Sequence, residues 1–222
     1  RNKALGVMAQ RLQIAETITA VDRAHMADQV KNLEEVLLNG GDEPIPETEI
    51  RGLYPADEAN GIVNRLEVAK ITGQVYESLK MADPAAIVAA QTDVETGTGP
   101  ISTSLRRALD MPETGGLTDE QSAQIGALRV GLKSDLDKLI AHRNEQIDND
   151  PAGYVVANDP GTAMARETAL AQPTPENWAT YARSSLAVQE VLGVNETDRR
   201  IMTDGERSNF ISMIASLPPQ AA

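Results

Sequence analysis

Between Thr118 and Asn149, apolar residues recur in steps of three and four: Ile125, Leu128, Leu132, Leu136, Leu139 or Ile140, and Ile147. That spacing lines them along one side of an α-helix. Thr118 followed by Gln121 has the form of a capping box at its start. Asp150-Pro151 ends it, because the residue before a proline is pushed out of the helical region and the ring removes a hydrogen bond. The stretch Asp150–Val155 then reads as a turn.

The same periodicity predicts one helix of roughly ten turns over residues 3–38. Leu5, Met8, Leu12 and Ala15 form one stripe, Ile14, Ile18 and Val21 a second, and Met26, Val30, Leu33 and Leu37 continue. Asn39-Gly40-Gly41 is a stop, since Gly accepts the left-handed cap conformation, and Pro44 and Pro46 break the chain. A short turn of helix fits residues 47–54. A second long helix fits Ala56–Ala82, with Ile62, Leu66, Ala69, Gly73, Tyr76 and Leu79 or Lys80 near one face. Gly61 and Gly73 weigh against it by about 1 kcal/mol each. A short helix is expected from Asp83-Pro84 to Ala90, a loop over Thr92–Pro100, a helix over Ser102–Asp110 and a loop over Pro112–Gly116.

After residue 155 the helix starts are marked by one device. Asp159-Pro160 and Thr174-Pro175 each place a capping residue before a proline at the first helical position. The first leads a helix to Ala171. The second leads one bearing Trp178, Tyr181, Ala182, Ser185, Val188 and Leu192, closed by Gly193. Thr203 with Glu206 is a capping box for a last helix, with Phe210, Ile211, Ile214 and Leu217 inward and Pro218-Pro219 as its stop. The expected organisation is therefore a long N-terminal helix (1–42), a helical hairpin region with loops (43–117), a central long helix (118–150) and a C-terminal helical subdomain (151–222). The fold class is all-α, an elongated multi-helix hairpin or bundle.

Composition narrows the chemistry. Aromatic residues are only 3% of 222, so the core must come from Leu, Ile, Val, Met and Ala. Cysteine is absent, which removes a disulfide framework, a thiol nucleophile and zinc–thiolate sites. The formal net charge of −13 argues against a general nucleic-acid binder, which needs clustered Lys and Arg. No run approaches the length of a membrane span, and no signal peptide is expected. The chain begins at Arg1 rather than Met, as expected of a part of something longer or a product cut from it.

Candidate sites are sparse. His25 and His142 each have Gln four residues on, at 29 and 146, so neither has a second ligand on its own helix face. Asp148, Asp150, Gly153 and Asp159 match positions 1, 3, 6 and 12 of a calcium loop, but Ala152 stands at position 5 and Pro151 interrupts it. Gly97-Thr98-Gly99-Pro100 lacks the Lys-Ser/Thr and the strand of a phosphate loop. Asn195-Glu196-Thr197 fits a glycosylation sequon with no secretion signal to support it. Arg199-Arg200 reads as a solvated pair that could touch a phosphate or a carboxylate. No acid pair is set in an apolar pocket, so no catalytic residue, metal ligand or cofactor is expected. The broad apolar helix faces serve an intramolecular core or a seam shared with neighbouring copies. Candidate interaction residues are Leu128, Leu132, Leu136, Tyr154, Trp178, Arg199 and Arg200.

Over about residues 60–217 a series of segments is familiar. These are Asp150–Val155, Asn158-Asp159-Pro160, Tyr181-Ala182, Gln189-Glu190-Val191-Leu192-Gly193-Val194 and Arg199-Arg200. Together they resemble a helical region of the large internal virion (ejection) proteins of tailed bacteriophages, some of which carry a lytic transglycosylase domain elsewhere in the polypeptide. The resemblance implies a protein packaged in the capsid near the portal and released with the genome into the host envelope. It further implies self-assembly, contact with other virion proteins of the portal or core, and transient passage of DNA, with no membrane contact evident in this segment. The Glu-Ser and glycine-aromatic motifs of a transglycosylase are missing here, so peptidoglycan cleavage is not expected of these residues. Two alternatives are a non-catalytic accessory domain of a phage muralytic protein and a tail or scaffold segment.

Overall fold

The structure, a computed structural model, describes residues 2–113 and 115–216, with side chains for 20–113, 115–209, 211 and 212. The fold is all-α, with no strand among the described residues. In chain order the helices are α1 (Asn2–Leu38), α2 (Glu47–Leu53), α3 (Ala56–Leu79), α4 (Pro84–Thr96) and α5 (Pro100–Ala108). They continue with α6 (Asp119–Asn149), α7 (Pro151–Asn158), α8 (Pro160–Ala171), α9 (Pro175–Val191) and α10 (Asp204–Ser216). The chain forms two compact units. Unit 1 is Arg1–Glu77 with Asp93–Asp135, and unit 2 is Ser78–Thr92 with Leu136–Ala222. The divisions fall inside α3, α4 and α6.

The core of unit 1 takes Met26, Val30, Leu37, Leu66 and Ala69 from the stripes read in the sequence and adds Ile50, Ala59 and Val63, which the spacing did not single out; Leu33 and Ile62 pack against it partly buried. Met26, Val30 and Leu37 of α1 meet Ile50 of α2 and Ala59, Val63, Leu66 and Ala69 of α3. Val21, placed by spacing on a second stripe of α1, is instead 62% exposed. The other members of the two N-terminal stripes, Leu5 to Ile18, lie outside the described side chains, as do Phe210, Ile214 and Leu217. Gly40, at φ +83°, ends α1 as expected. Gly73 sits in α3 because a Cβ there would run into the Leu37 carbonyl oxygen, so the close approach of α1 to α3 requires glycine.

Two local expectations are corrected. The loop expected over Thr92–Pro100 is mostly helical: α4 runs to Thr96 and α5 begins at Pro100. Val94, almost fully buried, extends the apolar face of α4 past Ala90, so packing outweighs the β-branched residues of this stretch. The turn expected over Asp150–Val155 is the start of α7. Asp150 Oδ1 accepts from Gly153 N at 2.9 Å with Pro151 at the first helical position, the device found again at Asp159 and Thr174. Proline ends one helix and opens the next one residue later.

The capping boxes form as read. Thr118 and Gln121 exchange bonds of 3.0 and 3.2 Å, and Thr203 and Glu206 bonds of 2.9 and 3.2 Å. On α6 the alternative at 139 or 140 resolves to Ile140, buried beside half-buried Leu139. In unit 2, α7, α8 and α9 pack on one another. Ile147, Tyr154, Val155 and Leu192 form a core patch with Met81, Val188 and Val194 against it.

Candidate functional site

Several of the residues that stand out in the sequence after position 150 converge on one junction of unit 2, where α6 ends, α7 starts, α9 ends and α10 starts. Tyr154 is buried and its Oη donates to the Lys80 carbonyl at 3.0 Å. Asn158 Nδ2 donates to Tyr154 O at 2.9 Å. Gln189, fully buried, accepts from Arg200 N at 2.9 Å and donates to Arg200 O at 2.7 Å. Its amide thus serves both backbone groups of Arg200, as a neighbouring strand would.

The two arginines, read from sequence as a solvated pair, are engaged in this junction. Arg199 donates from Nε to Val194 O at 3.0 Å and from Nη1 to Glu190 Oε2 at 3.1 Å. Arg200 Nη1 donates to Asn149 O, the last residue of α6, at 3.1 Å and to Asp204 Oδ1 at 3.0 Å. A helix C-terminus carries partial negative charge and free carbonyls, which a guanidinium satisfies well.

That role recurs within each unit. Arg143, 2% exposed, donates to Lys80 O at 2.9 Å and Ala82 O at 2.7 Å just beyond α3. In unit 1, Arg129 donates to Val94 O at 2.8 Å and to Glu95 O in the last turn of α4, and Arg23 to Leu53 O, the last residue of α2, at 2.7 Å. The last turns of α3, α4 and α6 contain no basic residue of their own. Arginines distant in sequence take that place. Sequence reasoning missed Arg129 and Arg143 and named Gln189 only as part of a segment, without a role; a helix end without its own cation, and a Gln at an apolar stripe position, are the signals that could have found them.

Two clefts border the junction. A groove of about 620 Å³ is lined by Leu186, Glu196, Arg199, Ile201, Met202 and Arg207, and is mostly apolar. A more polar cleft of about 470 Å³ is lined by Asn144, Asp148, Asn195, Asp198 and Arg200 among others. On α9, Tyr181 is fully buried, with no hydrogen-bond partner for its Oη among the described residues. Burial pushes its phenol up to about 12; Glu206 and Asp150 add to the rise and Arg166 opposes it.

The remaining candidates are placed as follows. Leu128 is half-buried and Leu132 buried in the unit 1 part of α6, and buried Leu136 opens its unit 2 part. Trp178 is half-buried and stands edge-on to Tyr181, centroids 6.0 Å apart. His25 and His142 are exposed, the latter with Nδ1 3.9 Å from Glu145. Of the calcium-loop acids, Asp150 and Asp159 cap α7 and α8. Among the described residues no group of three or more His, Asp or Glu side chains is placed to share a metal ion. None of the described helices is long and apolar enough to cross a membrane. No family model, curated protein or solved structure matches the chain.

Proposed function

We propose that this chain is a structural, non-enzymatic segment of a phage internal virion (ejection) protein. It assembles in several copies through its helices, and with other virion proteins of the portal or core, into a core or conduit for genome delivery. On this reading it resides in the virion and passes to the host envelope on ejection. One observation carries the proposal. The side chains behind the resemblance, Asp150, Tyr154, Asp159, Gln189, Arg199 and Arg200, bind helix ends and backbone to one another. A constellation used in this way serves architecture. The net charge of −13 also suits a surface past which DNA slides without adhering.

The test is peptide mass spectrometry on purified virions before and after triggered genome release. Peptides spanning Thr118–Val155 are expected in intact particles, within one longer polypeptide, and lost on release. Retention by the emptied particle would make the segment a fixed part of capsid or tail. A catalytic domain in the same polypeptide, with cell-wall cleavage depending on this segment, would favour an accessory role in a muralytic protein. Absence from virions would end the phage reading.

A further inference from the structure

Two carboxylates of unit 2 each serve two helices. Asp150 caps α7 through Oδ1 and accepts the amide of Asp204, first residue of α10, on Oδ2 at 3.1 Å. Glu206 closes the capping box of α10 through Oε2 and accepts from Arg166 Nε of α8 on Oε1 at 2.6 Å. Arg200 adds its bond to Asp204. The bonds that join α10 to Asp150, Arg166 and Arg200 fall on its first turn. Ile211, two turns in and expected inward from its spacing, is instead 57% exposed. A helix of 13 residues is marginal in water by itself, so its persistence depends on what docks it.

We infer that α10 is a releasable strap, docked through Asp150 and Glu206, which undocks and loses its helix when those charges are screened or removed. Tyr181 Oη is buried without a hydrogen bond, within electrostatic reach of Glu206, Arg166 and Asp150. Arg207 of α10 forms one wall of the groove floored by Leu186, Ile201 and Met202. Release removes that wall and widens access to an apolar surface. The strap is thus a local order–disorder element that gates the groove, and it does not depend on the virion reading.

Hydrogen exchange of the full chain, followed by mass spectrometry, tests this. Glu206→Gln keeps a capping-box side chain but removes the charge; Arg166→Met removes the partner and leaves the cap. Each is expected to speed exchange in peptides of 204–216 about tenfold, with α7–α9 peptides unchanged and the double variant no worse than either single. Added salt should speed α10 exchange in the wild type and much less in the variants. Unchanged α10 exchange in both single variants, or an equal rise across α7–α9, overturns the strap.

Discussion

Asp93 is held almost out of water, 8% exposed, at the start of a helix that has no capping side chain of its own. Its carboxylate accepts from Gly99 N at 3.0 Å, Ile101 N at 2.7 Å and Ser102 N at 3.2 Å, while Ser102 Oγ donates back to Asp93 O at 3.0 Å. A residue of α4 therefore caps α5 from a distance. Asp93→Ala strands those amides in a buried setting and should cost about 2–3 kcal/mol, read by urea unfolding, with Asp93→Asn milder because one acceptor oxygen survives. Glu67 illustrates the opposite sign. Burial raises its pKa above the ordinary 4.5; Lys70 opposes this and Glu47 adds to it. Below 4.5 both folded and unfolded states hold the proton, so the shift contributes nothing. As pH rises from 4.5 through the raised folded value the unfolded state releases its proton first, and stability falls. Partial exposure keeps the effect small. Glu67→Gln should therefore raise Tm at pH 7, with the gain vanishing near pH 4. A gain independent of pH would mean that the carboxylate charge is not the cause.

At the scale of elements, α3 contains two glycines that propensity treats alike and packing does not. A Cβ on Gly61 meets nothing within 4 Å, whereas one on Gly73 collides with the Leu37 carbonyl. Gly61→Ala should stabilise by about 0.5–1 kcal/mol, the ordinary helix preference. Gly73→Ala should destabilise by about 1–3 kcal/mol, as overpacking does. Thermal melts that moved both variants the same way would contradict the close approach of α1 and α3. The pair also marks what a sequence yields. Helix existence follows from periodicity, and Thr118, Asp159, Thr174 and Thr203 announce their helices because capping chemistry is local. Asp150 carries the same signal, but its proline stands directly after a long helix, where it reads first as a terminator. Asp93, Arg129 and Arg143 act on residues that are distant in the chain or on another helix, so no local pattern points to them. The candidate site was legible only as a list: Tyr154, Gln189, Arg199 and Arg200 are visible in sequence, while the burial of Gln189 and its grip on the Arg200 backbone are not.

Over the whole molecule, 33 acidic residues face 20 basic ones, and several of the arginines are turned to helix ends within the fold. Each copy therefore carries a strong excess of negative charge, and copies repel. Self-assembly through apolar surface would have to overcome that repulsion. The candidates for such surface include the Ile201–Met202 groove and Val130, which is 71% exposed on α6. Between about 0.01 M and about 0.3 M salt the screening length falls from about 30 Å to below about 10 Å, so the repulsion weakens while apolar contact does not. Sedimentation velocity across that range should show larger species gaining as salt rises. Species that shrink with salt would mean that charge pairs, and not apolar faces, join the copies. A single monomeric boundary at every salt concentration would remove self-assembly from the proposed function. Running Glu206→Gln in parallel separates this effect from release of α10. If the variant already assembles at low salt, undocking of the strap exposes the joining surface; if it follows the wild-type salt curve, long-range repulsion alone sets the threshold.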